Sequence, residues 1–220
     1  MRKPPAESVE AEIEQIALHT VGIIGHLGPV SGHGIGTGVA VRWRRRPFLV
    51  TAYHVIADTP HSDHLSFLHR DQGAPAARIE VKEIHADAKR DLAALRLSGP
   101  LASRPRIHFY PLRATVHTPD FGTEVVLLGY LPDRKGLTAV ERTHITGRRP
   151  HADFDPHWHL LVPYHSADER EPHGFSGAGV WYTAGPDRLR LAGIVTHYYR
   201  TSRLLMALRV ERVVEFLANL

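Results

Sequence analysis

Three residue types that together can turn a hydroxyl into a nucleophile occur in order along this chain. They are His54 in "FLVTAYHVIAD", Asp91 in "RDLAALRL" and Ser176 in "EPHGFSGAGVW". A serine hydroxyl is a weak nucleophile until a neighbouring base takes its proton and a third group orients that base. Asp91 follows His54 by 37 residues and precedes Ser176 by 85. Ser176 stands among Gly174, Gly177 and Gly179, whereas a plain turn needs only one or two glycines for positive φ. A G-x-S-x-G elbow of the α/β-hydrolase kind is excluded: its fifth position is Ala178, only His197 follows the serine, and no βαβ alternation precedes it. Taken singly, the three residues also read as a core histidine, a cap at the mouth of a strand and a turn serine.

Strands must set the distances between them. "GTGVAVRW" alternates Val39, Val41 and Trp43 with smaller or polar neighbours, a period of two that predicts a strand with one buried face, and "PFLVTA" follows as its hairpin partner. Further runs are "IEVKEI", "LAALRL", "EVVLLGY", "TAVERTHIT", "WHLLVPY", "AGVWYT", "RLAGIVT" and "RLLMALR", with Gly, Pro and Asp clusters between them. Many short strands and few helices predict an all-β sandwich or barrel. Val210, Val213, Val214 and Leu217 recur at i, i+3, i+4 and i+7, which predicts a C-terminal helix laid on the last strands. Val9, Ile13 and Ile16 recur similarly and predict a short N-terminal helix.

Three motifs in this order resemble those of chymotrypsin-fold, trypsin-like serine peptidases, in the style of cysteine-free bacterial HtrA-like and glutamyl-endopeptidase-like domains. "TAYHV" matches the T-A-x-H histidine motif, "DLAALRL" the D-L-A-x-L aspartate motif and "GFSGAGV" the G-x-S-G serine motif. Each motif alone is weak; three in order and spacing are specific. The resemblance spans roughly 36–208 and implies two six-stranded antiparallel β-barrels. It puts a peptidase domain at 19–209, with barrel one near 19–112 and barrel two near 120–209, an extension at 1–18 and a helix at 210–220. It also implies that Ser176 attacks a peptide carbonyl, that His54 takes the serine proton, and that Asp91 fixes the imidazole. The N–H groups of Gly174 and Ser176 would form the oxyanion hole, and catalysis through an acyl-enzyme would need no cofactor. The implied partner is a polypeptide substrate.

The sequence departs from digestive members of that family at Phe175, where they carry an aspartate that pairs with a new N-terminus after cleavage. No I-V-G-G-like start precedes the domain either, so activation by N-terminal cleavage is not expected, and a regulatory protein partner is the alternative. Arg170 falls at the base of the implied primary pocket, with Thr196, His197 and Tyr198 along one wall. An arginine there argues against cleavage after Arg or Lys and, with His197, points to an acidic residue.

Composition narrows the classes. The chain has 220 residues, 43% hydrophobic and 23% charged, and no cysteine, which excludes disulfides, thiol catalysis and cysteine-bound metals. A net charge of only +4, with "RWRRRP" between two strand-like runs, suits a hairpin tip better than a nucleic-acid site. Among 17 histidines, His61, His64 and His69, and the pair His157 and His159 placed on one strand face, lack diagnostic metal spacing, so no metal is expected. No signal-peptide pattern or long apolar run is found, and the expectation is a soluble, cytoplasmic monomer without membrane contact. A non-enzymatic relative that binds peptides in the cleft is the second reading, and a basic nucleic-acid-binding module is the third.

Overall fold

Several central strands bury both faces, which is why their sequences read as continuous apolar runs. The computed structural model describes residues 6–26, 33–59, 65–68, 80–98, 107–130, 138–147, 154–165, 172–185 and 188–220. Its first sheet contains β1 (Thr20–His26), β2 (His33–Trp43), β3 (Arg46–Ala52), β4 (Leu65–Leu68), β5 (Glu80–Asp87) and β6 (Leu92–Ser98). They are antiparallel in the order β4-β1-β2-β3-β6-β5, and β7 (Tyr110–Pro111) adds a parallel rung to β2. The second sheet contains β8 (Glu124–Tyr130), β9 (Thr138–His144), β10 (His159–Pro163), β11 (Gly179–Thr183), β12 (Leu189–Tyr199) and β13 (Leu204–Arg209). Its order is β10-β13-β12-β11-β8-β9, and it curls so that the Thr146 N–H donates to Leu161 O at 2.8 Å. Six antiparallel strands per sheet are what the two-barrel expectation requires. β1, β4 and β7 had no counterpart among the runs read from sequence.

Successive residues of a strand face opposite sides, so each strand feeds two cores. From β3, Leu49 points into the first barrel, where it meets Ile23, Phe67 and Leu95. Its neighbours Phe48 and Val50 point the other way, into a cluster shared by both sheets and both helices that includes Trp43, Leu128, Trp181 and Leu208. The second barrel encloses Val125, Leu127, Leu160, Phe175, Val180 and Leu205. Burying each such large side chain contributes about 1.5–3 kcal/mol, so the shared cluster welds the two barrels together.

Helix α1 (Ala6–His19) is 14 residues long, more than the short helix expected, and passes into β1 without a loop. The Thr20 hydroxyl donates back to Ile16 O at 2.8 Å across that junction. Glu12 ties the helix to the second sheet by pairing with Arg142 at 2.6 Å and accepting from the Thr183 hydroxyl at 2.5 Å. Helix α2 (Val210–Ala218) buries the predicted Val210, Val213, Val214 and Leu217, and Phe216 as well. The basic cluster is the tip of the β2–β3 hairpin, where Arg44 and Arg45 take φ of 47° and 69°. Two positive φ values in a two-residue loop are those of a type I′ turn, whose twist matches the strands.

Candidate active site

β3 ends at Ala52 and the chain tightens into a single 3-10 turn, Tyr53–Val55, which carries His54 just past the end of this interior strand. Asp91 grips this turn three times. Its carbonyl accepts the Tyr53 N–H at 3.1 Å, its Oδ1 accepts the His54 N–H at 2.9 Å, and its Oδ2 lies 2.7 Å from His54 Nδ1. A carboxylate only accepts, so Nδ1 carries a proton, and Nε2 is the ring nitrogen that Asp91 does not engage. Asp91 takes φ of 50° at the end of a tight turn between β5 and β6, a conformation that Asp tolerates better than most side chains.

The serine arm consists of two consecutive four-residue turns. In the first, the Phe175 N–H donates to Pro172 O at 3.1 Å; in the second, the Ala178 N–H donates to Phe175 O at 2.8 Å. Gly174 and Gly177 hold the third positions with φ of 93° and 83°, as type II turns require. A side chain at Gly177 would also overlap the Thr37 carbonyl and the Thr51 hydroxyl. The Gly177 N–H is taken by Val195 O at 2.7 Å. Among the described residues the N–H groups of Gly174 and Ser176 have no backbone acceptor, while those of Phe175, Gly177 and Ala178 are all used. Phe175 itself is buried in the second barrel.

β2 brings the two arms together. The Thr37 N–H donates to Ser176 O at 2.7 Å, and the preceding Gly36 leaves no room for a side chain. A Cβ there would lie 2.5 Å from the Val55 side chain and 3.1 Å from Ser176 O. Gly36 therefore lets the strand pass between the residue after His54 and the backbone of Ser176. Residues 36–186 match the family model for the trypsin-like peptidase domain, more than half of the chain. The chain belongs to the trypsin-like peptidase domain family. Rv3671c protease from M. tuberculosis in its active form is similar at 18% identity and a TM-score of 0.66, over 99% of this chain and 91% of that one. Its inactive form gives 19% identity and a TM-score of 0.64, over 100% and 97%. At such identity these structures establish the chymotrypsin-like fold alone. No curated protein matches the chain significantly.

Of the other sequence-predicted residues of this trypsin-like domain, Thr196, His197 and Tyr198 follow Val195, whose carbonyl takes the Gly177 N–H, along β12. Thr196 follows Val195 on β12 at a bulge and is buried, its hydroxyl 3.4 Å from Met206 O. His197 is exposed and lies edge-on to Tyr199, with ring centroids 4.9 Å apart. Tyr198 is half-buried against Tyr164. Arg170 lies outside the described residues, as do His61, His64 and His69. The expected shared face of His157 and His159 is corrected: β10 begins only at His159, and His157 sits in the preceding turn with its N–H on Asp155 Oδ1 at 2.8 Å. No helix among the described residues is long and apolar enough to cross a membrane. Sequence reasoning passed over Thr37 and Thr51 as site residues. Their signal was a hydroxyl inside a run, 34–41 or 47–52, that is otherwise apolar or glycine.

Proposed function

We propose that this peptidase domain is a serine endopeptidase acting through Ser176, His54 and Asp91. The observation that carries the proposal is the His54 Nδ1 to Asp91 Oδ2 contact of 2.7 Å, which turns Nε2 away from the carboxylate on the arm that β2 joins to the Ser176 turn. Ser176 Oγ attacks the peptide carbonyl while its proton passes to Nε2. The carbonyl oxygen gains the negative charge, which the N–H groups of Gly174 and Ser176 stabilise. Collapse of this intermediate breaks the C–N bond, and His54 returns the proton to the departing amine, leaving an ester on Ser176. Water repeats the sequence with His54 as base, releases the acid and restores the serine. These steps need only residues of the chain and water.

The test is labelling of the purified protein with a fluorophosphonate, which reacts only with an activated serine, beside Ser176→Ala. Labelling of wild type and not of the variant is expected. Labelling equal in the two, or absent from both, overturns the assignment of Ser176.

A further inference from the structure

Every polar backbone and side-chain group of Thr37 is engaged around the serine turn. Its N–H donates to Ser176 O at 2.7 Å, and its hydroxyl donates to Gly174 O at 2.5 Å. The same hydroxyl oxygen accepts the Tyr130 N–H at 3.0 Å, and its carbonyl accepts the Thr51 hydroxyl at 2.7 Å. The residue is fully buried. A threonine that only filled space on a buried strand would need none of the bonds to the turn.

The need for them follows from the turn's sequence. Glycine at the third position of a turn removes the steric bias between type I and type II, which differ by a flip of the central peptide. In the first turn a flip of the 173–174 peptide would swing the unused Gly174 N–H away, and in the second a flip of the 176–177 peptide would turn Ser176 O away from Thr37 and strain the adjoining peptide that carries the Ser176 N–H. Four peptides are involved, and Thr37 holds alternate ones. The 174–175 peptide is pinned at its carbonyl by the Thr37 hydroxyl and at its N–H by Pro172 O. The 176–177 peptide is pinned at its carbonyl by the Thr37 N–H and at its N–H by Val195 O. Between them lies the peptide that carries the Ser176 N–H, and before them the one that carries the Gly174 N–H. Thr51 lies on the strand that leads into the His54 turn, so the contacts run from the base arm through Thr37 to the serine arm.

We infer that Thr37 is a positioning residue that locks the Gly174–Gly177 turn with both oxyanion donors presented. The inference rests on the peptidase reading above. It is tested with the full chain as Thr37→Val, which keeps the shape and removes the hydroxyl, and Thr37→Ser, which restores it. At a temperature where each protein is fully folded, Thr37→Val is expected to react with the fluorophosphonate about tenfold or more slowly, approaching the hundredfold of a lost donor, and Thr37→Ser to react within about threefold of wild type. The amides of Phe175, Gly177 and Ala178 should exchange faster with solvent in Thr37→Val and unchanged in Thr37→Ser.

Wild-type labelling by Thr37→Val overturns the inference and leaves the peptidase reading standing. A wild type that does not label overturns that reading, and the exchange data then decide the hold on the turn by themselves. Should Thr37→Val not fold, Thr37→Ala, which removes the same hydroxyl without adding bulk, is judged by the same two readouts.

Discussion

The ring of Phe175 occupies the space that a side chain on Gly129 would need. A Cβ at Gly129 would lie 2.9 Å from Phe175 Cγ, and the ring also meets Tyr164 edge-on with centroids 5.8 Å apart. The residue next to the serine is thus anchored by apolar packing inside the second barrel. An aspartate at this place would need a cation brought to it; phenylalanine needs only a hollow, and Gly129 provides one.

Gly129→Ala is accordingly expected to lower the stability by about 1–3 kcal/mol, the usual cost of overpacking a dense core. It should also slow fluorophosphonate labelling, because the displaced ring is bonded into the serine turn. Adding Phe175→Leu should return part of both losses. Urea denaturation and labelling of the two single variants and the double variant measure the coupling. Additive losses would mean that the two side chains do not compete for one space.

Asp91→Asn separates chemistry from folding at the base arm. Asn adopts the left-handed conformation of this position as readily as Asp, so the turn should survive. Its amide, however, presents a donor toward His54 Nδ1 and favours the ring proton on Nε2, where the base is needed. Labelling is expected to fall by roughly three to four orders of magnitude, with the unfolding midpoint little changed. Loss of the unfolding transition itself would show that the carboxylate is needed for the turn first.

Strands that border two cores were legible in the sequence because their continuous apolar runs cannot be placed elsewhere, and β3, β6 and β8 stood out on that ground. β1 was not, since His19 passes directly into Thr20 and no turn residue marks the change from helix to strand. β7 is a two-residue rung that exists only because β2 lies beside it. The same contrast holds at the site. His54, Asp91 and Ser176 announce themselves by residue type and order, but the hydroxyl of Thr37 meets Gly174 across 137 positions, and nothing local to "GTGVAV" specifies that contact.

Glu141 on β9 is buried, and burial raises its pKa, although the His165 N–H donates to it at 2.7 Å. The folded protein therefore holds this proton more tightly than the unfolded chain. The stability it contributes is complete below the unfolded value of 4.5 and is lost as the pH rises through the higher folded value. Glu141→Gln keeps an acceptor for His165 and removes the charge. The variant should be more stable than wild type at neutral pH, with the difference vanishing in acid. Parallel denaturation curves at every pH would contradict this.

His19 has the opposite sign. It closes α1 at the seam between the sheets, stacked on Trp181 with centroids 5.7 Å apart and edge-on to Tyr110 at the same distance. Its Nδ1 donates to His108 O at 2.6 Å, which fixes the neutral tautomer, and burial holds its pKa below the ordinary 6.5. The folded state thus binds this proton less tightly than the unfolded chain. Stability from His19 is complete above 6.5 and is lost as the pH falls through the lower folded value. A histidine charging between two aromatic rings in the shared core must loosen the weld between the barrels. His19→Asn keeps a donor for His108 O and cannot charge there, so its thermal midpoint should fall less than that of wild type as the pH is lowered from the 6.5 reference through the lower folded value. A wild-type midpoint that tracks the variant's over that interval would remove His19 from the acid response of the fold.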